Sequence, residues 1–320
     1  MLRPAATSIT GWFHKMRLSH AALALATTAA CAAALPAHAH AVAGARVFVN
    51  TVLIDDPGVG DEANLPLYSI TSPDGKSTAT DLNFEYDKTI FSNLGIAAGD
   101  DWNWLTVDSN DNGKSHGGWS DPYVQLKYRW ILLPEHEFMS SVQIQESFGR
   151  AGAAGFESGY DTTTLSGFFG KGLGDIPVDF IRPFAITGEL DYNMPNTGQA
   201  SGYGNVNTWS GGLTLQYSIP YLQSQIHDYG LPLVLANLTP LVELGWTSAA
   251  SGSAFRPTNN PTTLKLGTGA VWTGEYWSFS TELLWPLNGA SGHGLGVIGQ
   301  FHLYFDDLFP NTLGKPLFGS

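Results

Sequence analysis

Alternation of apolar and polar side chains at every second position restricts the fold of this chain more than any other feature. The clearest example is residues 122–130, where apolar Val124, Leu126, Tyr128 and Trp130 alternate with polar Gln125, Lys127 and Arg129. Successive side chains of a β-strand point to opposite faces, so this stretch predicts a strand with one apolar and one polar face. The same pattern recurs in residues 81–87, 277–285 and 297–305.

Weaker runs of the same kind fill the rest of the chain, near 46–54, 93–106, 139–149, 159–171, 178–192, 204–218, 232–248 and 262–273. With the four clear runs they predict twelve strands, and ten to fourteen fit the pattern. Strands of this length and alternation are typical of barrels that cross a membrane. The sheet must close into a barrel, because an open sheet edge in lipid leaves backbone groups without hydrogen-bond partners. We therefore predict an all-β fold, a transmembrane antiparallel up-and-down β-barrel. A secreted β-sandwich is the alternative.

The first 41 residues have the parts of a secretory signal peptide. Basic residues at Arg3, Lys15 and Arg17 precede an apolar, Ala-rich run over 21–35. Residues 36–41 then offer small residues at two cleavage positions. The alternatives are a membrane-anchoring helix, which this run is short for, and a lipoprotein leader that ends at the single cysteine of the chain. We predict cleavage and export to the bacterial outer membrane.

This leader divides the chain into a signal peptide over 1–41, a barrel over 42–306 and a C-terminal periplasmic tail over 307–320. Cys31 is the only cysteine and lies in the leader, so the mature chain is expected to have none. An exported protein without disulfides needs another source of stability, and a closed hydrogen-bonded barrel supplies it. Outer-membrane lipid and the barrel assembly machinery are the partners that this organisation predicts.

The charge balance is acidic. The leader takes three of the 15 basic residues and none of the 28 acidic ones, which leaves 12 against 28 and a net charge of −16. A chain of this charge is not expected to bind nucleic acid, which requires a positive surface. Charged residues make up 13% of the chain, about half of the usual ~25%. This scarcity, with 37 glycines and 12% aromatic residues, fits a barrel with an apolar outside.

Tryptophans lie near the ends of the predicted strands. Amphipathic rings are favoured at the level of the lipid headgroups, so these residues predict an aromatic girdle: Trp130, Trp209, Trp246, Trp272, Trp277 and Trp285. The connections alternate in length. Residues 133–137 and 273–276 are expected to be short periplasmic turns, whereas residues 108–114, 193–204 and 249–262 are expected to be long external loops.

Charged and titratable residues on the polar faces are predicted to line the lumen: Lys127, Arg129, Arg182, Lys265, Asp81, Glu85, Asp87, Glu243, Glu282 and His302. Placement toward lipid would cost about 2–4 kcal/mol for a basic residue at mid-depth. Two interpretations stay open. In one, the charges line a pore whose constriction is formed by Lys127, Arg129 and facing acids. In the other, they pair with each other and close a narrow barrel.

No catalytic group stands out, and the chain is predicted not to be an enzyme. His302 shares inward parity with Ser278 and Ser280, so a membrane-embedded hydrolase is the alternative. Acidic clusters at residues 55–62 and 108–112 lack the spacing of a dedicated calcium loop and are better interpreted as solvated loops. No pattern for a metal or another cofactor is present.

Three stretches resemble a known family. They are residues 55–62 followed by Leu65-Pro66, the run Gly118-Trp119-Ser120-Asp121-Pro122 before Lys127-Tyr128, and the glycine-rich run 168–174 before Arg182-Pro183. In these glycines and this alternation the chain resembles the transporter-like outer-membrane family of the MetA-pathway of phenol degradation. The resemblance implies a channel for uptake of small organic molecules, hydrophobic or aromatic ones included, with a small-molecule solute as partner. A non-conducting structural or binding barrel is the alternative.

The chain departs from outer-membrane barrels at its C-terminus. Such barrels commonly end on an aromatic residue, whereas here residues 306–320 follow Phe305. Two interpretations remain open: a periplasmic tail follows the barrel, or Leu317-Phe318 near the end acts as the assembly signal.

Overall fold

The computed structural model describes residues 41–108, 113–196, 206–251 and 261–318, and it is dominated by antiparallel strands. The strands are β1 (Ala41–Ala43), β2 (Arg46–Phe48), β3 (Glu62–Thr71), β4 (Ser77–Phe91), β5 (Leu94–Val107), β6 (His116–Trp119), β7 (Tyr123–Leu133), β8 (Phe138–Ser147), β9 (Thr162–Gly172), β10 (Phe184–Pro195), β11 (Asn207–Tyr217), β12 (Leu238–Ser251), β13 (Thr263–Thr273), β14 (Trp277–Pro286) and β15 (His293–Tyr304).

Strands β3 to β15 close into one barrel, in which each strand pairs with its neighbours in sequence and β15 pairs with β3. β6 and β7 both pair with β5, at different heights, and therefore form one interrupted strand. The wall thus has twelve strands, which confirms the predicted fold class and number.

One predicted strand is wrong. Residues 46–54 are not part of the wall; their place in the count is taken by β3, which the alternation did not reveal. Pro66 and the polar pair Tyr68 and Ser69 interrupt the pattern in β3. β1 and β2 instead form a separate hairpin.

The alternation places apolar side chains on the outer surface. Val124, Tyr128, Phe279 and Phe301 are 36–48% exposed, whereas Glu282 on the opposite face is 2% exposed. A soluble sandwich would bury the apolar face and expose the polar one, so the inverted arrangement matches a barrel in lipid.

The two ends of the barrel differ. We call the end with the connections 92–93, 134–137 and 274–276 the turn end, and the opposite end, with 148–161 and the partly described connections at 108–115, 196–206 and 252–262, the loop end. Residues 133–137 and 273–276 are short, as predicted. Residues 109–112, 197–205 and 252–260 of the predicted long loops lie outside the described part of the chain, as do residues 1–40 of the predicted leader.

One connection at the turn end is unexpectedly long. Residues 218–237 join β11 to β12 through short helices: α1 (Ile219–Tyr221), a π-helical turn (Leu222–Ile226) and α2 (Leu233–Ala236). Further short helices are the 3₁₀ turns Pro134–His136 and Gly289–Ser291, and α3 (Phe305–Leu308). In the described residues, no helix has the length and apolar character needed to cross a membrane.

The C-terminal residues return to the wall. The backbone N–H groups of Leu317 and Phe318 donate to the carbonyls of Thr89 and Ile90, at 3.0 and 2.9 Å. Lys88 Nζ donates to the carbonyls of Leu313 and Lys315. The tail therefore contacts β4 at the turn end.

Candidate functional site

The interior of the barrel is occupied by the chain's own residues 41–61, which we call the plug segment. Its contacts reach strands on several sides of the wall. They begin at the turn end, where Arg46 is fully buried, and continue to mid-height. These contacts join the segment to both strands and connections of the barrel.

Arg46 anchors the plug segment at the turn end. Its guanidinium pairs with Glu137 at 3.1 Å and donates to the carbonyls of Arg182 and Pro183, at 2.5 and 3.0 Å. The group also lies 3.7 Å from the ring centre of Tyr221. Arginine suits such a site because its planar group offers five donors and stacks on aromatic rings.

Farther from the turn end, toward the loop end, backbone groups of the plug segment bond to polar side chains of the wall. Gln216 bonds both backbone groups of Val49, at 3.4 and 3.2 Å. The N–H of Leu53 donates to Glu243 at 3.3 Å, and the N–H of Asp55 donates to Glu189 at 2.8 Å. These bonds satisfy backbone groups that would otherwise be buried without partners.

Lys127 holds the upper part of the plug segment. Its Nζ lies 2.7 Å from the Asp55 carboxylate and donates to the Asp56 carbonyl at 2.7 Å. On the neighbouring strand, Ser141 donates to the carbonyl of Pro57. The acid that Lys127 meets therefore belongs to the plug segment, and not to a facing strand as the predicted constriction required.

Glycines of the wall make room for apolar residues of the plug segment. A Cβ added at Gly170 would lie 2.9 Å from the Phe48 ring, and one added at Gly212 would lie 3.0 Å from Ile54. Gly245 and Gly267 lie against Leu53 in the same way, at 3.7 and 3.4 Å. The inner surface of the wall is thus shaped to the plug segment.

A cavity of about 390 Å³ lies above the plug segment, toward the loop end. Residues 50–53 and Asp55 form its floor. Its wall is rich in carboxyl and amide side chains: Glu85, Glu189, Asp191, Asn64, Asn83, Gln125, Gln143, Gln145 and Gln300. Lys265 is its basic residue, and donates to the Tyr68 hydroxyl.

The cavity wall carries a chain of hydrogen bonds centred on Glu85. Its Oε2 accepts from the Tyr123 hydroxyl at 2.7 Å and from Gln125 Nε2 at 3.1 Å. Gln143 Nε2 then donates to Gln125 Oε1 at 3.0 Å. These bonds orient both amides and leave the carbonyl of Gln143 as an acceptor.

The predicted lumen residues fall into three groups. Glu85 and Lys265 line the cavity, and Asp81 lies across from Tyr68 in the β3–β4 register. Lys127, Asp87 and Glu243 border the plug segment, Lys127 and Glu243 bonding to it. The remaining four lie elsewhere.

Two of these remaining residues lie at the turn end. Arg129 donates to the Ser92 carbonyl at 2.7 Å, beside the turn that joins β4 to β5. Arg182 lies on no strand, since β10 begins at Phe184, and the prediction that it is on a polar strand face is wrong. It bonds instead to the carbonyl of Gly174 at 3.3 Å.

Glu282 and His302 are buried in the wall face below the cavity. His302 Nε2 lies 2.7 Å from Glu62 Oε2, whereas no hydrogen bond from His302 to Ser278 or Ser280 is present in the described residues. The serine–histidine contact of the alternative hydrolase is therefore not formed. The described residues also contain no group of three potential metal ligands.

The six predicted girdle tryptophans lie on the outer face, by strand parity. Trp130, Trp272 and Trp277 lie near the turn end, and the last two stack at 4.8 Å. Trp209, Trp246 and Trp285 lie near the loop end. Trp102, Trp104 and Trp119 add a cluster there, with ring centres 5.2–5.7 Å apart.

The plug segment is the feature of the lumen that the sequence pattern missed. Residues 46–54 have the apolar content of a strand, and only the crowded acids and glycines of residues 55–62 set them apart. The inward glycines Gly170, Gly212 and Gly267 were a second signal, because a polar lumen face has no need of them unless another segment approaches closely.

No family model and no curated protein sequence matches this chain. Solved structures do. The chain is similar to an outer-membrane channel from Pseudomonas putida F1, with 11% identity and a TM-score of 0.57 over 81% of this chain and 100% of that one. It is also similar to the NanC porin, with 9% identity and a TM-score of 0.43 over 76% and 98% of the two chains.

A third similar structure is the β domain of the Bordetella autotransporter BrkA, with 14% identity and a TM-score of 0.44 over 77% of this chain and 99% of that one. At such identities the likeness to the Pseudomonas putida channel shows the fold, a barrel of the outer-membrane type. The two lower scores carry no argument. The resemblance to the phenol-degradation family stays a prediction.

Proposed function

We propose that this protein is an outer-membrane channel for small solutes, closed in the present state by the plug segment. The observation that carries the proposal is the cavity of about 390 Å³ in a polar lumen, with the plug segment as its floor. A barrel that served only as a scaffold would have no need of a polar cavity reaching from the loop end to mid-height. In this proposal the loop end faces the cell exterior and the turn end the periplasm.

Displacement of the plug segment opens the path. In the described residues its contacts with the wall are hydrogen bonds, a few ion pairs and apolar packing, and no crosslink joins it to a wall strand. Hydrogen bonds to charged groups contribute about 1.5–3 kcal/mol each, and three of them hold Asp55 and Asp56. Release of these upper contacts is therefore a rare and transient event, and the closed state predominates. The anchor at Arg46 stays in place during such a release.

The solute class implied by the family resemblance, hydrophobic or aromatic, is not favoured by this lining. Carboxyl and amide side chains outnumber apolar ones in the cavity wall. We further propose that the aromatic girdle on the outer surface anchors the barrel in the outer-membrane lipid, and that the barrel assembly machinery inserts it there.

A reversible crosslink tests the proposal. A Cβ at Gly245 lies 3.7 Å from Leu53 Cβ, within the 3.5–4.5 Å range of disulfides. We expect the Leu53→Cys, Gly245→Cys double variant to show no single-channel openings in planar bilayers when oxidised, and to recover them on reduction. Each single variant is the control and should conduct in both conditions.

Equal conductance of the oxidised and reduced double variant would contradict gating by the plug segment. Absence of openings in every variant, including one that lacks residues 47–54, would contradict the channel itself. The runner-up, a non-conducting binding barrel, would then be favoured, because the cavity would remain.

A further inference from the structure

The cavity above the plug segment carries more acidic groups than its basic groups can neutralise. Four acids line it, Asp55, Glu85, Glu189 and Asp191, against one lysine, Lys265. Lys127 pairs with Asp55 from below. Three acids therefore share one lysine, in a space where an unpaired charge is unfavourable.

Hydrogen-bond geometry gives an independent observation on the same cavity. Because Gln125 donates to Glu85, its carbonyl is left to accept from Gln143 Nε2. Gln143 is 9% exposed, and its Oε1 has no donor in the described part of the chain. A buried acceptor without a donor is unfavourable, and the bonds around it forbid a flip of the amide.

Asp191 shows the same feature on β10, two strands along the wall from the Gln143 strand β8. Its Oδ2 accepts from Ser210 at 3.1 Å, whereas its buried Oδ1 has no N–H or hydroxyl donor among the described residues. Glu189 is the next inward residue of β10, so two carboxyl groups lie side by side. Among described residues that line the cavity, the buried polar side-chain atoms without partners are these two acceptors.

We propose that the cavity binds a small organic cation with several N–H donors, an amine or guanidinium compound. Its charge balances Glu189, Asp191 and Glu85, and its donors bond to the open acceptors of Gln143 and Asp191. A volume of about 390 Å³ suits a small molecule. An anion would meet the acids, and a neutral apolar solute would leave the acceptors unpaired. The inference rests on the proposed function, whose solute class it names.

Three four-carbon probes that differ in charge test the inference: 1,4-diaminobutane, 1,4-butanediol and succinate. Each is titrated calorimetrically into the full chain in detergent micelles. We expect the diamine to bind and the diol and succinate to bind at least tenfold more weakly. Diol binding equal to that of the diamine, or absence of diamine binding, would overturn the inference.

Variants of residues that line the cavity test whether the diamine binds there. Gln143→Leu removes the open acceptor, and Glu189→Gln with Asp191→Asn removes two charges; each is expected to weaken diamine binding at least tenfold. Glu135→Gln, at the exposed turn end, removes one charge and should leave affinity unchanged. Glu189 also bonds to the plug segment, so the Glu189→Gln, Asp191→Asn double variant could fail to fold. In that case the affinity of Gln143→Leu alone tests the site. Unchanged affinity in Gln143→Leu and the folded double variant would overturn the site.

The results separate the two proposals. Diamine binding in a protein that never conducts would keep the cation site and overturn the channel. Conductance that the disulfide controls, without diamine binding, would keep the channel and overturn the cation site.

Discussion

At the scale of single residues, glycines decide whether the lumen can hold the plug segment. On β9, Gly170 faces inward against Phe48, whereas Gly167 faces outward with no atom within 4 Å of an added Cβ. The two positions lie three residues apart in one strand. They therefore separate the effect of the plug contact from the effect of strand propensity.

We predict that Gly170→Ala loosens the plug segment and that Gly167→Ala does not. The new methyl group would lie 2.9 Å from the Phe48 ring, and overpacking of this kind costs about 1–3 kcal/mol. In a Leu53→Cys background, the thiol should react with a soluble maleimide roughly tenfold faster or more after Gly170→Ala. Equal labelling rates in the two glycine variants would disprove the role of this contact.

At the scale of elements, the break between β6 and β7 holds a loop. Asp121 accepts from the N–H groups of Ala151, Gly152 and Ser158, and from the Ser158 hydroxyl. A Cβ at Gly118 would meet Ala153 at 2.5 Å, so this loop, 148–161, folds over the inward face of β6. The interruption in the strand thus supplies the anchor for a loop at the mouth of the barrel.

We predict that Asp121→Ala releases loop 148–161. Hydrogen bonds to a charged group contribute about 1.5–3 kcal/mol each, and the variant removes four of them. Amide hydrogen exchange within the loop should rise at least about 100-fold, while β9 stays protected. Glu157→Gln, an exposed charge of the same loop, is the control and should leave exchange unchanged; a matching rise there would contradict the anchor role.

At the scale of the whole molecule, the barrel has an outer face suited to lipid and a junction of distant segments at its turn end. Asp61, at the end of the plug segment, accepts from Lys88 at 2.7 Å and from the Thr89 N–H at 2.8 Å. Its N–H donates to Asp306 at 3.2 Å. This junction ties the plug segment, β4 and the C-terminal residues together.

Lipid exposure predicts a depth-dependent penalty. Val142 lies mid-strand on the outer face of β8, and Leu133 lies at the turn-end rim of β7. Val142→Arg should lower the unfolding free energy in lipid vesicles by about 2–4 kcal/mol, and Leu133→Arg by about 0–1 kcal/mol. Denaturant titration measures both. Equal losses would speak against a membrane around this face.

The turn-end junction predicts a pH dependence. Burial and the adjacent Asp61 raise the pKa of Asp306 to about 8. The folded protein therefore keeps this proton up to about pH 8, whereas an unfolded chain releases it near the ordinary pKa of 3.8. Unfolding releases a proton between these values, so stability falls as the pH rises toward 8.

We expect the wild-type protein to melt at a lower temperature at pH 9 than at pH 6. Asp306→Asn keeps a neutral side chain at every pH and should reduce this difference. Asp179→Asn, an exposed acid of the same end, should keep the wild-type difference. A variant at Asp306 with the full wild-type difference would exclude this carboxyl as its source.

The sequence by itself determined the barrel and the side of the wall that each clearly alternating residue faces; its count of twelve strands was right although residues 46–54 stood in it in place of β3. It could do so because side-chain direction in a strand repeats every two residues and because lipid and water demand opposite chemistry on the two faces. Lys127 was therefore placed inward without any coordinates. Only the tertiary structure decided what Lys127 meets, since Asp55 is 72 residues away along the chain and no local period links them. The plug segment and the cavity above it depend on contacts between distant residues and on glycine gaps such as Gly170, which carry no periodic signal.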